Sequence, residues 1–112
     1  MKRAQVVLSE QWAEALRGEG IAVHAMHPGW ADTPGVRRWL PTFRLATRPL
    51  LRTPEQGADT IVWLAAAEEP GRSSGRFWHD RRQRPLHYLG RTKEGEADRR
   101  ALWEACERLT GP

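Results

Sequence analysis

Four histidines (His24, His27, His79 and His87), a single cysteine (Cys106) and a Pro28-Gly29 pair are the residues of this 112-residue sequence whose types first suggest chemistry. The histidines and the cysteine do not form a ligand pattern. His24 and His27 stand three apart at the end of an apolar run, where side chains alternate in direction, so their rings are expected to face opposite ways. No zinc-ligand spacing occurs, and no metal site is expected. A Ser-His-Asp hydrolase is set aside as well, because no nucleophile-elbow Gly-x-Ser-x-Gly is read in the sequence.

The Pro-Gly pair reads differently. It follows residues 21–26, a short apolar run after a glycine turn, as a buried parallel strand requires. Ligands bind at the carboxyl ends of the strands of an open parallel sheet. A Pro-Gly pair there fixes the turn and lets the backbone approach a flat ring.

The surrounding elements must position that turn. Residues 3–17 are expected to form an amphipathic helix with Ala4, Leu8, Trp12 and Leu16 on one stripe, stopped by Gly18 and Gly20. The helix has no capping residue or strand before it and starts as if already under way. Residues 34–51 mix Pro34, Gly35, Pro41 and Pro49 with Trp39, Leu40, Phe43 and Leu45, the composition of a lid holding one or two short helices. Thr53-Pro54-Glu55-Gln56 is a helix start, with a capping box from Thr53 to Gln56 and Pro at the first helical position. That helix is expected to bury Ala58, Ile61, Val62 and Ala65. A turn at residues 73–75, a strand at 76–79, a Pro- and Arg-rich stretch to Arg91 and a helix over 94–109 complete the chain. Leu102, Ala105, Cys106 and Leu109 should form the stripe of that last helix. Helices alternating with short strands indicate an α/β protein with a parallel sheet. Two strands are too few for such a sheet to stand alone, so further sequence N-terminal to residue 1 is expected.

Composition narrows the classes. Apolar residues make up 39% and charged residues 29%, which is a globular balance. The net charge is +4, but the arginines are scattered and interleaved with acids, which argues against nucleic acid as a partner. No apolar run approaches the roughly 20 residues that span a bilayer, no signal segment is evident, and no membrane partner is expected. One cysteine permits no intrachain disulfide, which fits a cytoplasmic location.

With these motifs in hand, the sequence resembles the short-chain dehydrogenase/reductase (SDR) family. Pro28, Gly29 and Thr33 match the family's Pro-Gly segment, which covers one face of the nicotinamide. Lys2-Arg3-Ala4-Gln5 and the helix after it are similar to the family's Tyr-x-x-x-Lys helix from its lysine onward. Residues 53–58 resemble the helix after the substrate lid, and residues 74–77 the entry into the last sheet strand. The resemblance spans nearly the whole chain and implies one piece, residues 1–112, of an NAD(P)-binding domain. That piece is the C-terminal part of a Rossmann-like doubly wound parallel sheet, incomplete in this chain. It also implies an oxidoreductase that uses NAD or NADP on a small alcohol or carbonyl substrate.

In such an enzyme Lys2 would lower the tyrosine pKa from about 10 toward neutrality and bond the nicotinamide ribose. Pro28, Gly29 and Ala31 would offer backbone to the nicotinamide. Thr33 would reach its carboxamide or the diphosphate, and Trp39, Leu40, Phe43 and Leu45 would cover an apolar substrate. The family's glycine-rich loop, structural Asn, catalytic Ser and catalytic Tyr have no counterparts here. The tyrosine position falls three residues before Met1, so the chain begins inside the catalytic motif. Alone it is expected to be inactive and to bind no cofactor. The alternatives are a non-catalytic pairing or dimerisation module, forming a homo-oligomer, and a basic nucleic-acid binder.

Overall fold

The structure, a computed structural model, describes residues 2–111. Helix α1 (Lys2–Ala15) buries Val7 and keeps Ala4, Leu8 and Leu16 half-buried, close to the expected stripe, while Trp12 turns outward against Trp103. The chain then reverses into β1 (His24–Met26), which is shorter than expected because pairing starts only where a partner strand lies alongside. Ala13 lies against Gly75, at the amino end of β2 (Arg76–His79). Lys2 stands roughly 16 Å further along the helix axis, at 1.5 Å per residue. Arg3 ties the N-terminal turn of α1 to Leu86 and Glu94.

The excursion after β1 folds as α2 (Pro34–Trp39), α3 (Pro41–Thr47) and a 3-10 turn (Arg48–Leu50). Helix α4 (Pro54–Ala66) begins with the anticipated capping box. The Thr53 hydroxyl accepts from the Gln56 amide at 3.2 Å, and the Gln56 side chain accepts from the Thr53 amide at 2.9 Å. The buried face of α4 differs from expectation. Gly57 and Thr60 pack inward, whereas Ala58, Ile61, Val62 and Ala65 are exposed. Gly57 explains the orientation: a β-carbon there would meet that of Ala31 at 3.2 Å, so the bare backbone is what lets α4 close on the Pro28–Ala31 segment.

A short helix α5 (Glu68–Gly71) leads into β2, which pairs parallel to β1 with Met26 opposite Trp78. The sequence does spell Gly-x-Ser-x-Gly across Gly71, Ser73 and Gly75, which corrects the reading that it lacks this pattern. The stretch runs from helix to strand, the reverse of a nucleophile elbow. Its serines act structurally: the Ser73 hydroxyl bonds the Pro70 carbonyl, and the Ser74 hydroxyl accepts from the Val23 amide at 2.9 Å.

The Arg-rich stretch contains a strand that the sequence reading passed over, β3 (Arg82–Arg84), antiparallel to β2. The sheet is thus mixed, in the order β1-β2-β3. Asp80 and Arg81 form the hairpin turn at φ +54° and +55°. Positive φ at two non-glycine residues is held from α4: the Arg81 amide donates to the buried Thr60 hydroxyl at 3.3 Å, and its guanidinium pairs with Asp59.

The last helix, α6 (Glu96–Thr110), lies on α1 through Trp12–Trp103 and the Arg99–Glu10 ion pair. Leu102, Ala105 and Cys106 are half-buried on its inner side, and Leu109 is exposed. The accessible surface is 8735 Å²; a compact monomer of this mass exposes about 6,300 Å². Val7 and Trp78 are the buried large apolar residues of the core. Trp78 is fixed by Trp63 at 5.2 Å and donates its indole N–H to His24 Nδ1 at 3.2 Å. His24 Nε2 lies 2.9 Å from the Pro70 carbonyl, so the ring carries its proton there.

Candidate functional site

The Pro28–Thr33 segment leaves the carboxyl end of β1, where the sequence placed it. Gly29 takes φ +78°, a backbone conformation that side-chain-bearing residues rarely adopt. Its amide donates to His27 Nδ1 at 3.0 Å, which puts the His27 proton on Nε2. The His27 ring meets His79, from the end of β2, edge-on at 5.5 Å. No group of three or more metal-ligating side chains occurs among the described residues.

What holds the segment is Arg52, a residue the sequence reading did not single out. Its backbone brackets Ala31 in an isolated parallel bridge: the Arg52 amide donates to the Trp30 carbonyl, and the Asp32 amide donates to the Arg52 carbonyl, both at 2.8 Å. Its guanidinium lies over Gly29 and forms a bidentate pair with Asp80 in the β2–β3 turn. The pairing draws the Asp80 carboxyl down from 3.8 to about 2. The Pro28–Thr33 segment, the end of the 34–51 excursion and the hairpin turn are therefore joined through one residue. The sequence carried a weak signal for it, a cation directly before the Thr53 cap.

Asp32 performs the matching task for the excursion over residues 34–51. Arg44 of α3 binds it in bidentate fashion at 2.7 and 2.9 Å, and Arg37 of α2 adds a bond at 3.1 Å. These bonds, led by that from Arg44, hold its pKa at about 2. Thr33 caps α2 with its hydroxyl oxygen, 3.4 Å from the Val36 amide, which leaves the hydroxyl hydrogen available as a donor. Phe43 packs on Trp30 at 5.1 Å, whereas Trp39, Leu40 and Leu45 are exposed.

Lys2 is exposed in the first turn of α1. Its neighbour Arg3 anchors that turn to the loop before α6. Arg3 donates to the Leu86 carbonyl at 2.7 Å and to Glu94 at 2.5 and 2.9 Å, and it lies against the His87 ring. The Arg3 bond is the main reason the Glu94 pKa falls from 4.5 to about 2.

Known proteins give this geometry a context. The chain is 46% identical over 110 residues to dehydrogenase/reductase SDR family member 12 of Bos taurus, covering 96% of this chain and 34% of that protein. It is 44% identical over 113 residues to the same family member of Homo sapiens, again over 96% of this chain and 34% of the relative. The putative daunorubicin C-13 ketoreductase DnrU of Streptomyces sp. (strain C5) is 31% identical over 110 residues, covering 98% of this chain and 37% of that protein. No family profile and no solved structure matches the chain. The chain spans about a third of the length of the curated relatives it matches. Over that third, it belongs to the short-chain dehydrogenase/reductase family.

Proposed function

We propose that the chain supplies the nicotinamide-side wall and the substrate lid of an NAD(P)-dependent oxidoreductase acting on a small alcohol or carbonyl compound. The observation that carries this reading is the Pro28-Gly29 turn, at positive φ on the carboxyl end of a parallel strand and locked by Arg52. The residues fit a nicotinamide. Pro28 and Trp30 are exposed beside the turn, and Thr33 keeps a hydroxyl hydrogen to donate to a carboxamide. When bound, the nicotinamide exchanges hydride with the substrate. Lys2, exposed in the first turn of α1, is suited by its chemistry to bond ribose hydroxyls and to stabilise a neighbouring phenolate. Phe43, packed on Trp30, faces the reacting carbon from the lid with Leu40 beside it, whereas the exposed Trp39 and Leu45 lie on the lid's outer side, against the expectation that they cover substrate. The large exposed surface and the sparse core support a piece that packs into a larger sheet, and the short chain alone is inactive on this reading.

The test is a chimera in which residues 2–111 replace the matched stretch of bovine SDR family member 12. NADH and NADPH binding is read by fluorescence enhancement, and turnover is read with a panel of aldehydes and ketones. Cofactor binding and carbonyl-dependent oxidation are expected, with turnover lost in Lys2→Ala and both lost in Gly29→Val. A folded chimera that binds neither cofactor overturns the reading.

A second reading, a non-catalytic pairing module, draws on the exposed Ala58, Ile61, Val62 and Ala65 stripe of α4. Such stripes drive association. Sedimentation showing a tight dimer dispersed by Ile61→Glu, together with a cofactor-silent chimera, would favour it.

A further inference from the structure

We infer that the outer face of the lid, α2 to the 3-10 turn, docks on an anionic lipid bilayer. The inference goes beyond the oxidoreductase reading, does not depend on it, and departs from the expectation of no membrane partner, which rested on the lack of a spanning run. From Thr33 to Pro54 the sequence has five arginines and no acidic residue. The structure divides that excursion into two faces. Val36, Phe43, Arg44 and Thr47 are half-buried and turn inward, Phe43 onto Trp30 and Arg44 onto Asp32. Trp39, Leu45 and Leu50 turn outward at 75%, 76% and 79% exposure. These are the large apolar residues that a substrate-facing reading alone leaves in water.

The charges sort in the same way. Arg37 and Arg44 are neutralised by Asp32, and Arg52 by Asp80. Arg38 and Arg48 form no ion pair among the described residues, and Arg38 stacks on the Trp39 ring at 5.5 Å. The outer face therefore presents two uncompensated guanidinium groups beside one indole and two leucines. That set matches the headgroup boundary of a membrane: tryptophan and leucine enter the apolar margin while arginine meets phosphate and carboxylate. A nucleic acid would use the arginines and leave Leu45 and Leu50 unpartnered. No helix among the described residues is long and apolar enough to cross a membrane, so the contact is interfacial.

The experiment is flotation of the full 112-residue chain with phosphatidylcholine vesicles, with and without phosphatidylserine. The chain should float with the anionic vesicles, hold weakly to the neutral ones, and be released as salt rises. Arg38→Glu/Arg48→Glu and Leu45→Glu/Leu50→Glu should each lower partitioning about tenfold or more, with helical content retained by circular dichroism. Ile61→Glu/Val62→Glu, on the exposed stripe of α4, should leave partitioning unchanged and serves as the control for general stickiness. Equal binding to both vesicle types overturns the proposal, as does an equal loss in the α4 variant. Failure of the parent chain to float, or tight DNA binding insensitive to the leucine substitutions in place of vesicle binding, does the same. None of these outcomes bears on cofactor binding by the chimera.

Discussion

The Arg52 guanidinium stands 3.0 Å from the point where a β-carbon on Gly29 would sit. One contact thus couples a left-handed backbone to an ion pair. Gly29→Ala meets two obstacles, the positive φ and the guanidinium. The backbone alone should cost about 1–2 kcal/mol, read as a lowered urea midpoint. Displacing Arg52 also loosens Asp80. Against an Arg52→Ser background, which already lacks the Asp80 pair, adding Gly29→Ala should cost only the part due to φ.

The acid limb of stability should be steep. Asp32, Asp80 and Glu94 are each held at about 2 by an arginine, against ordinary values of 3.8, 3.8 and 4.5. A carboxylate with a lowered folded-state pKa stabilises the fold fully above its ordinary pKa. That contribution is lost as pH falls through the folded value. Urea midpoints measured from pH 6 downward should therefore hold to about pH 5 and fall progressively toward pH 2. Asp32→Asn should lower the midpoint at neutral pH and flatten the acid fall.

Helix α4 depends on its capping box. Thr53→Ala removes the acceptor for the Gln56 amide and should cost about 1 kcal/mol. Thr53→Ser should restore most of it. Equal stability of the alanine variant and the parent chain would show that the packing of Gly57 and Thr60, not the cap, sets where α4 begins.

Cofactor affinity of the isolated chain should be negligible. The sequence contains no glycine-rich phosphate loop, and the diphosphate supplies much of dinucleotide binding through such a loop. Calorimetry with NADH or NADPH at submillimolar concentration should show no binding heat. Micromolar affinity would place a complete site within these residues and contradict the division of labour proposed above.

Local chemistry was the legible part of this sequence. Thr53 and Gln56 announce their cap because both partners lie within one turn, and Pro28-Gly29 announces its turn through backbone limits alone. Long-range choices were not legible. Ala58, Ile61, Val62 and Ala65 form a good apolar stripe, yet α4 turns Gly57 inward because Ala31 needs the space. β3 escaped notice because its turn uses Asp80 and Arg81, without the glycine that usually marks such a hairpin. The side chains holding that turn, Asp59 and Thr60, come from more than twenty positions earlier in the chain. Arg52 reads as one of the scattered arginines because its partner Asp80 is brought to it only by the fold.

The bridge between Ala31 and Arg52 closes residues 32–51 into a loop tied at its neck. Changes inside the loop reach the turn at Gly29 through that neck and through the Phe43–Trp30 contact. Doubling the length of such a loop costs only about 0.6 kcal/mol in closure entropy, so the excursion can lengthen or shorten while the bridge beneath it stays put. The neck makes the excursion a replaceable part. Residues 33–51 can change, and Arg52 need not move for them to do so.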